Sequence, residues 1–243
     1  MVRVLDRIRF GLMDADGDGD NPLLGEFEWF AREYPRCYRH HLECAQFRLC
    51  TIHALYVQIH WELAPRLNAS PNSLGCSTGD ERVKRIYWEF ESYLAAISSS
   101  LDLLARIAGL VYPRQTPPNF NRFCKMPEKS KMLTIMQLAQ SRWAFRLKGY
   151  RDCFTHFTPV DTLLSAGLTR YQDGFHIRAK LPTNPGVREI LGFRYSRRAE
   201  VLRYASTTWR HMMALDRAVA KEIGSAYASG NYPQRTTGLF FVN

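Results

Sequence analysis

The sequence has no CxxC pair, no Gly-rich phosphate loop, no HExxH and no internal repeat. Each absence removes a class of function. Without GxxxxGK[ST], or GxGxxG after a strand, no nucleotide-cofactor enzyme is indicated. Without HExxH or paired cysteines, no zinc site is indicated. The expectation is therefore no metal and no cofactor. Long apolar runs are also missing: Leu101 to Tyr112 is broken by Asp102 and Arg106, so no segment reads as a membrane span. The first ten residues carry Arg3, Asp6, Arg7 and Arg9 and do not read as a signal peptide. A cytoplasmic protein with no membrane partner is expected. Its six cysteines (Cys37, Cys44, Cys50, Cys76, Cys124 and Cys153) then read as free, partly buried thiols in a reducing compartment.

Lysine is scarce, with 7 against 26 arginines. Arginine's planar fork suits phosphate oxygens and ion pairs better than lysine's point charge. The charge is also uneven. Residues 122–243 hold 20 Lys and Arg against 8 Asp and Glu, and residues 1–121 hold the remaining 13 and 15. A polyanion partner for the basic half is the sharper reading. Ordinary surface charge is the plain one.

Along the chain, Asp14-Ala-Asp-Gly-Asp-Gly-Asp20 begins like a calcium loop, but Gly25 stands where the twelfth-position acid belongs. An acidic surface loop over 14–26 is the alternative. Glu26 to Tyr34 reads as a short helix ended by Pro35. Arg36 to Leu67 reads as a long helix with Phe47, Leu49, Ile52, Leu55, Tyr56, Ile59 and Leu63 on its apolar face. Asn68 to Gly79 is a loop, and Asp80 caps a second long helix ending near Tyr112 before Pro113, with Val83, Ile86, Tyr87, Phe90, Tyr93, Leu94, Ile97, Leu101, Leu104, Ile107 and Leu110 on its apolar face. Arg114 to Lys129 is an irregular connection. Ser130 to Phe157 is a third long helix, with Met132, Ile135, Met136, Leu138, Trp143, Leu147 and Tyr150 as core candidates. Thr158 to Ala166 reads as a turn and short helix. Thr169 to Leu181 is a hairpin turning at Asp173-Gly174. Arg188 to Tyr195 is a candidate further strand. Ser196 is the expected cap of a last helix running to about Tyr227. The fold expected is mainly α: an up-and-down bundle of about four long helices, with a small β insertion (about 169–195) before the last.

At the end of the third helix lies Tyr150-Arg-Asp-Cys-Phe-Thr-His156. It brings together a fixed cation, a carboxylate and a proton carrier. Arg151, four residues and His156, with a polar residue directly after the arginine, resembles the RxxxxH motif of the HEPN superfamily. The resemblance covers mainly residues 80–160. It implies a single helical domain over 1–243 and metal-independent RNA cleavage by a homodimer in defence or toxin–antitoxin systems, with RNA and a regulatory or antitoxin protein as partners. His156 would move protons, Arg151 would stabilise phosphoryl charge, and Asp152 would orient one of them. The position after the arginine, often Asn in active members, is Asp152 here. Arg142, Arg146 and Lys148 on the helix, and Arg178 and Lys180 on the hairpin, are the candidate RNA-binding residues.

Residues five apart on an ideal α-helix point about 140° away from each other. A kink near Thr155, or two motifs meeting across a two-fold interface, is therefore expected. Other readings stay open: Arg151 pairing structurally with Asp152, Cys153 acting as a nucleophile beside His156, and a non-catalytic helical module that binds RNA or a protein.

Overall fold

The computed structural model describes residues 22–111, 119–157 and 166–229. The calcium-like run Asp14–Asp20 lies outside them. The protein is mainly helical with a small antiparallel sheet. No helix among the described residues is long and apolar enough to cross a membrane.

Helix α1 spans Pro22–Ala69 without interruption. The end expected at Pro35 is absent. Pro35 lies on a buried stripe continued by Tyr38, Leu42 and Ala45, at steps of three and four. Burying that stripe outweighs the hydrogen bond a proline forfeits, a cost of about 3 kcal/mol. Strand β1, Gly75–Thr78, emerges from the expected loop. Helix α2, Glu81–Val111, starts where expected, the Asp80 carboxylate accepting from the Arg82 amide at 2.9 Å. Its predicted apolar positions from Val83 to Ile107 are all buried. A short α3, Phe120–Phe123, interrupts the irregular connection.

The third long run opens at the predicted Ser130, whose hydroxyl accepts from the Leu133 amide at 3.0 Å. It consists of α4, Lys131–Ala139; a π turn, Gln140–Ala144; α5, Phe145–Asp152; and a second π turn, Cys153–Phe157. The buried positions record the first π turn. They step through Met132, Met136 and Ala139, then jump five residues to Ala144 before Leu147, Tyr150 and Cys153. An unbroken 3.6 period misses that jump. Leu138, expected in the core, is 46% exposed because it stands two residues beyond Met136, on the far side of α4 from the buried positions.

The sheet has order β1-β2-β3-β4, all antiparallel, with β2 Ala166–Tyr171, β3 Gly174–Pro182 and β4 Tyr195–Glu200. The hairpin pairs Tyr171 with Gly174, so Gln172 and Asp173 form the turn rather than Asp173 and Gly174. Gly174, at φ 123°, takes the conformation only glycine adopts readily. Ala166 and Gly167 are strand, not the end of a helix. Ser196 lies inside β4 and caps nothing. Glu200 caps α6, Val201–Ala228: its carboxylate accepts from the amides of Leu202, at 3.1 Å, and Arg203.

The chain forms two compact units. One holds Met1–Glu43, Ile97–Phe145 and Arg210–Asn243; the other holds Cys44–Ala96 and Arg146–Trp209. In the first, the Tyr38 hydroxyl donates to buried Asp216 at 2.9 Å, Lys131 pairs with Glu222 at 2.7 Å, and the Asp102 carboxylate accepts from the Phe120 amide. In the second, three tyrosine hydroxyls donate to backbone carbonyls. Tyr87 reaches Lys180 (2.9 Å), Tyr93 reaches Ala205 (2.9 Å) and Tyr150 reaches Pro182 (2.6 Å). The Phe90 ring sits among those of Tyr93, Tyr150, Phe154 and Tyr204.

Gly149 offers a test of the α5 packing. A Cβ there would meet Pro185 Cγ at 3.5 Å, an ordinary contact. Gly149→Ala is expected to raise stability by about 0.5–1 kcal/mol through helix propensity, read as a higher urea midpoint. A lower midpoint would show that Pro185 packs too tightly to admit a methyl group.

Candidate active site

The motif stands on the second π turn. Arg151 and Asp152 close α5, and Cys153 to Phe157 form the i→i+5 bonded turn. Side chains facing inward hold it there. Tyr150 and Cys153 are buried, and the Phe154 ring lies 6.3 Å from Tyr87 and 5.5 Å from Phe90. Positions 150, 153 and 154 share one helical face at i, i+3 and i+4, and 155 falls on the other side. Thr155 is exposed, and Arg151 and Asp152 are half-buried.

Thr155, where a kink is expected, lies within this π turn, which winds wider than an α-helix. Position 156 lies within that turn, and Arg151 lies before it in α5. π turns of a single cycle recur at functional sites.

Arg151 has its guanidinium engaged by its neighbour. Nε, at 3.2 Å, and Nη2, at 2.9 Å, both donate to Asp152 Oδ1. The structural pairing weighed from sequence is thus present. It also fits the orienting role, since a fork held by one carboxylate oxygen is fixed in direction. Cys153 is a poor nucleophile: the residue is fully buried, and burial pushes its thiol up to about 11. Alkylation mapped by mass spectrometry is expected to leave Cys153 unmodified at pH 8 until the chain is unfolded. Modification in the native protein would restore a thiol mechanism.

The candidate RNA-binding residues fall into two groups. Arg142, Arg146 and Lys148 are exposed on the third helical run. Arg142 belongs to the first unit and the others to the second. Arg146 lies 5.8 Å above the Tyr150 ring, and Lys148 is placed i, i+3 and i, i+4 to Arg151 and Asp152. Arg178 and Lys180 occupy one face of β3 with His176. Gly167 is the cross-strand neighbour of Arg178, Thr169 that of His176, and Glu200 of β4 that of Lys180. Arg178 stacks over Tyr171 at 5.1 Å, and His176 meets the same ring at 5.0 Å while bonding Asp173 at 2.9 Å. A glycine-thinned sheet face carrying cations beside an aromatic ring is a surface on which phosphates and bases can both rest.

Sequence reading missed the node that ties sheet to helix in this unit. The Tyr56 hydroxyl donates to Glu200 Oε2 at 2.8 Å and accepts from the amides of Ala179, at 3.2 Å, and Leu202, at 3.3 Å. Burial, with the Glu200 carboxylate beside it, pushes the phenol well above its ordinary range. Burial likewise raises the Glu200 carboxyl, against the pull of Tyr56 and two backbone amides. Nothing in the sequence announces a pair 144 residues apart.

Among the described residues, no three His, Cys, Asp or Glu side chains gather where they could hold a metal ion. Compared with family models, curated proteins and solved structures, the chain has no significant match in any of the three.

Proposed function

We propose that this protein is a HEPN-like endoribonuclease that cleaves RNA by acid–base chemistry at Arg151 and His156. The observation that supports the reading is the π turn at Cys153–Phe157, whose wider winding lessens the angle between positions 151 and 156 relative to an unbroken α-helix. The four long helical runs are read as an up-and-down bundle, with two motifs meeting across a two-fold interface. The His156 imidazole takes the proton of a 2′-hydroxyl, and the 2′-oxygen attacks the adjacent phosphorus. The bond from phosphorus to the 5′-oxygen breaks, and the imidazolium returns a proton to the leaving oxygen. Arg151, steered by Asp152, stabilises the charge that builds on the phosphoryl oxygens. The products are a 2′,3′-cyclic phosphate and a free 5′-hydroxyl. A regulatory or antitoxin protein is the class of partner that would restrain such an activity.

The test is the chemistry of the cut. RNA ends should carry 2′,3′-cyclic phosphate, and a strand with a 2′-deoxy sugar at the scissile position should remain whole. Cleavage of the deoxy strand would remove the 2′-hydroxyl mechanism.

A second reading has its own observation, the Arg178–Tyr171–His176 face of the sheet. On it the protein is an RNA-binding module. Arg178→Ala with Lys180→Ala is expected to weaken RNA binding roughly tenfold and to lower the slope of log K against log salt by about 1–2. An unchanged slope in a fluorescence titration would take phosphate contact away from this face.

A further inference from the structure

Helix α1 has two apolar faces. One is the core face, with Ile52, Leu55, Tyr56, Ile59 and Leu63 buried. The other lies on the opposite side and runs Phe47, Cys50, Ala54, Val57, Trp61, at steps of three, four, three and four. That is heptad spacing, the pattern of a seam between paired helices. All five residues are exposed; Phe47 is 63% and Trp61 73% accessible.

Charge is missing from most of the same stretch; at its start the Arg48 guanidinium, paired with Glu89, lies 5.6 Å from the Phe47 ring. From Leu49 to Trp61 there is no Asp, Glu, Lys or Arg, in a chain where such residues make up 23%. The flanking residues Gln46, Thr51, His53, Gln58 and His60 carry no fixed charge. Depletion of charge with exposed aromatic residues marks the centre of a protein interface rather than a solvated face.

We infer that this stripe is a two-fold interface between two copies of the chain, with their α1 helices antiparallel and Ala54 on the axis. The side-chain sizes are self-complementary about that point. Phe47 is seven residues before Ala54 and Trp61 seven after, so each stands about 10 Å from the centre along the helix. Reversing one helix sets Phe47 of each copy beside Trp61 of the other. Cys50, Ala54 and Val57 form the lower middle, where the two backbones approach. A two-fold contact needs one patch that complements itself, and this pattern does. The four large rings alone would remove about 600 Å² from water. The smaller side chains and the polar flanks bring the total to the lower end of the roughly 1,200–2,000 Å² of a specific interface. The pairing rests on α1 alone and stands whether or not the motif cleaves RNA.

The test is sedimentation of the full chain from 1 to 200 µM, for wild type and Trp61→Glu, with circular dichroism to verify that the exposed substitution leaves the helices intact. Wild type should be a dimer with a micromolar Kd, and Trp61→Glu should dissociate at least 100-fold more readily. Register is read separately. Ala54→Cys in a Cys50→Ser background should form an interchain 54–54 disulfide on mild oxidation, because only residues near the axis bring two Cα atoms within about 7 Å. Wild type that stays monomeric at 200 µM overturns the inference. So does a dimer indifferent to Trp61→Glu, or one that yields no 54–54 link.

Discussion

Tyr56→Phe should cost about 2–4 kcal/mol of stability. The hydroxyl gives one hydrogen bond to Glu200 and receives two from backbone amides of β3 and α6. Phenylalanine fills the same volume, so no cavity term enters. The cost comes from a half-buried carboxylate losing one of its three donors, a charge-assisted bond worth about 1.5–3 kcal/mol, and from the Ala179 amide losing its phenol acceptor, at about 1–3 kcal/mol.

The loss should depend on pH, and its sign follows from Glu200. Burial raises the folded carboxyl above its ordinary 4.5, which means that folding favours the protonated form. A raised folded value contributes stability that is complete below the unfolded pKa and disappears as pH climbs through the folded one. Tyr56 limits that rise by donating to the charged form. Without it the carboxyl rises further, and more stability is lost on ionisation. The difference between wild type and Tyr56→Phe in urea unfolding should therefore be larger at pH 8 than at pH 5. A difference that stays flat, or shrinks, would mean that the Tyr56–Glu200 bond does not bear on the charged carboxylate.

The second large effect concerns Arg151 and its neighbour. Arg151→Ala should lower kcat about 10²–10³-fold, the range for removing one donor aimed at a developing oxyanion. Arg151→Lys should recover little of it, because a point charge cannot reproduce the planar fork that Nε and Nη2 present to Asp152. Asp152→Asn acts in the opposite direction. It keeps an acceptor for the guanidinium and removes a negative charge beside the place where phosphate must sit. Cleavage should rise by up to about tenfold, equivalent to about 1.4 kcal/mol, chiefly through a lower KM. A fall in kcat with unchanged KM would instead make the Asp152 charge part of the machinery.

How much of this was legible in the sequence depends on whether the signal was local. Asp80 and Ser130 were readable as caps because a capping side chain bonds its own next few amides. The stripe from Val83 to Ile107 was readable because nothing interrupts its 3.6 period. Glu200 was not readable as a cap: a glutamate is an unusual choice there, and its second partner, Tyr56, lies 144 residues away. Strand β1 was hidden in a Ser-, Asn- and Gly-rich loop, since four residues become strand only by pairing with β2. The motif itself was visible as Arg151 to His156, but its geometry was not. A π turn leaves one trace in sequence, an apolar series that steps by five, and that trace is clear between Ala139 and Ala144 only once the buried positions are known. Phe47 was misplaced in the core for a related reason. α1 carries two apolar faces, and periodicity alone does not say which one the fold covers.

The most direct measurement of the central claim is cleavage of a mixed RNA pool in EDTA, with wild type beside His156→Ala under identical conditions. Wild type should cut and leave 2′,3′-cyclic phosphate ends, and the variant should be silent. Equal cleavage by the two proteins, or cleavage by wild type that EDTA abolishes, would contradict a histidine-driven, metal-independent ribonuclease.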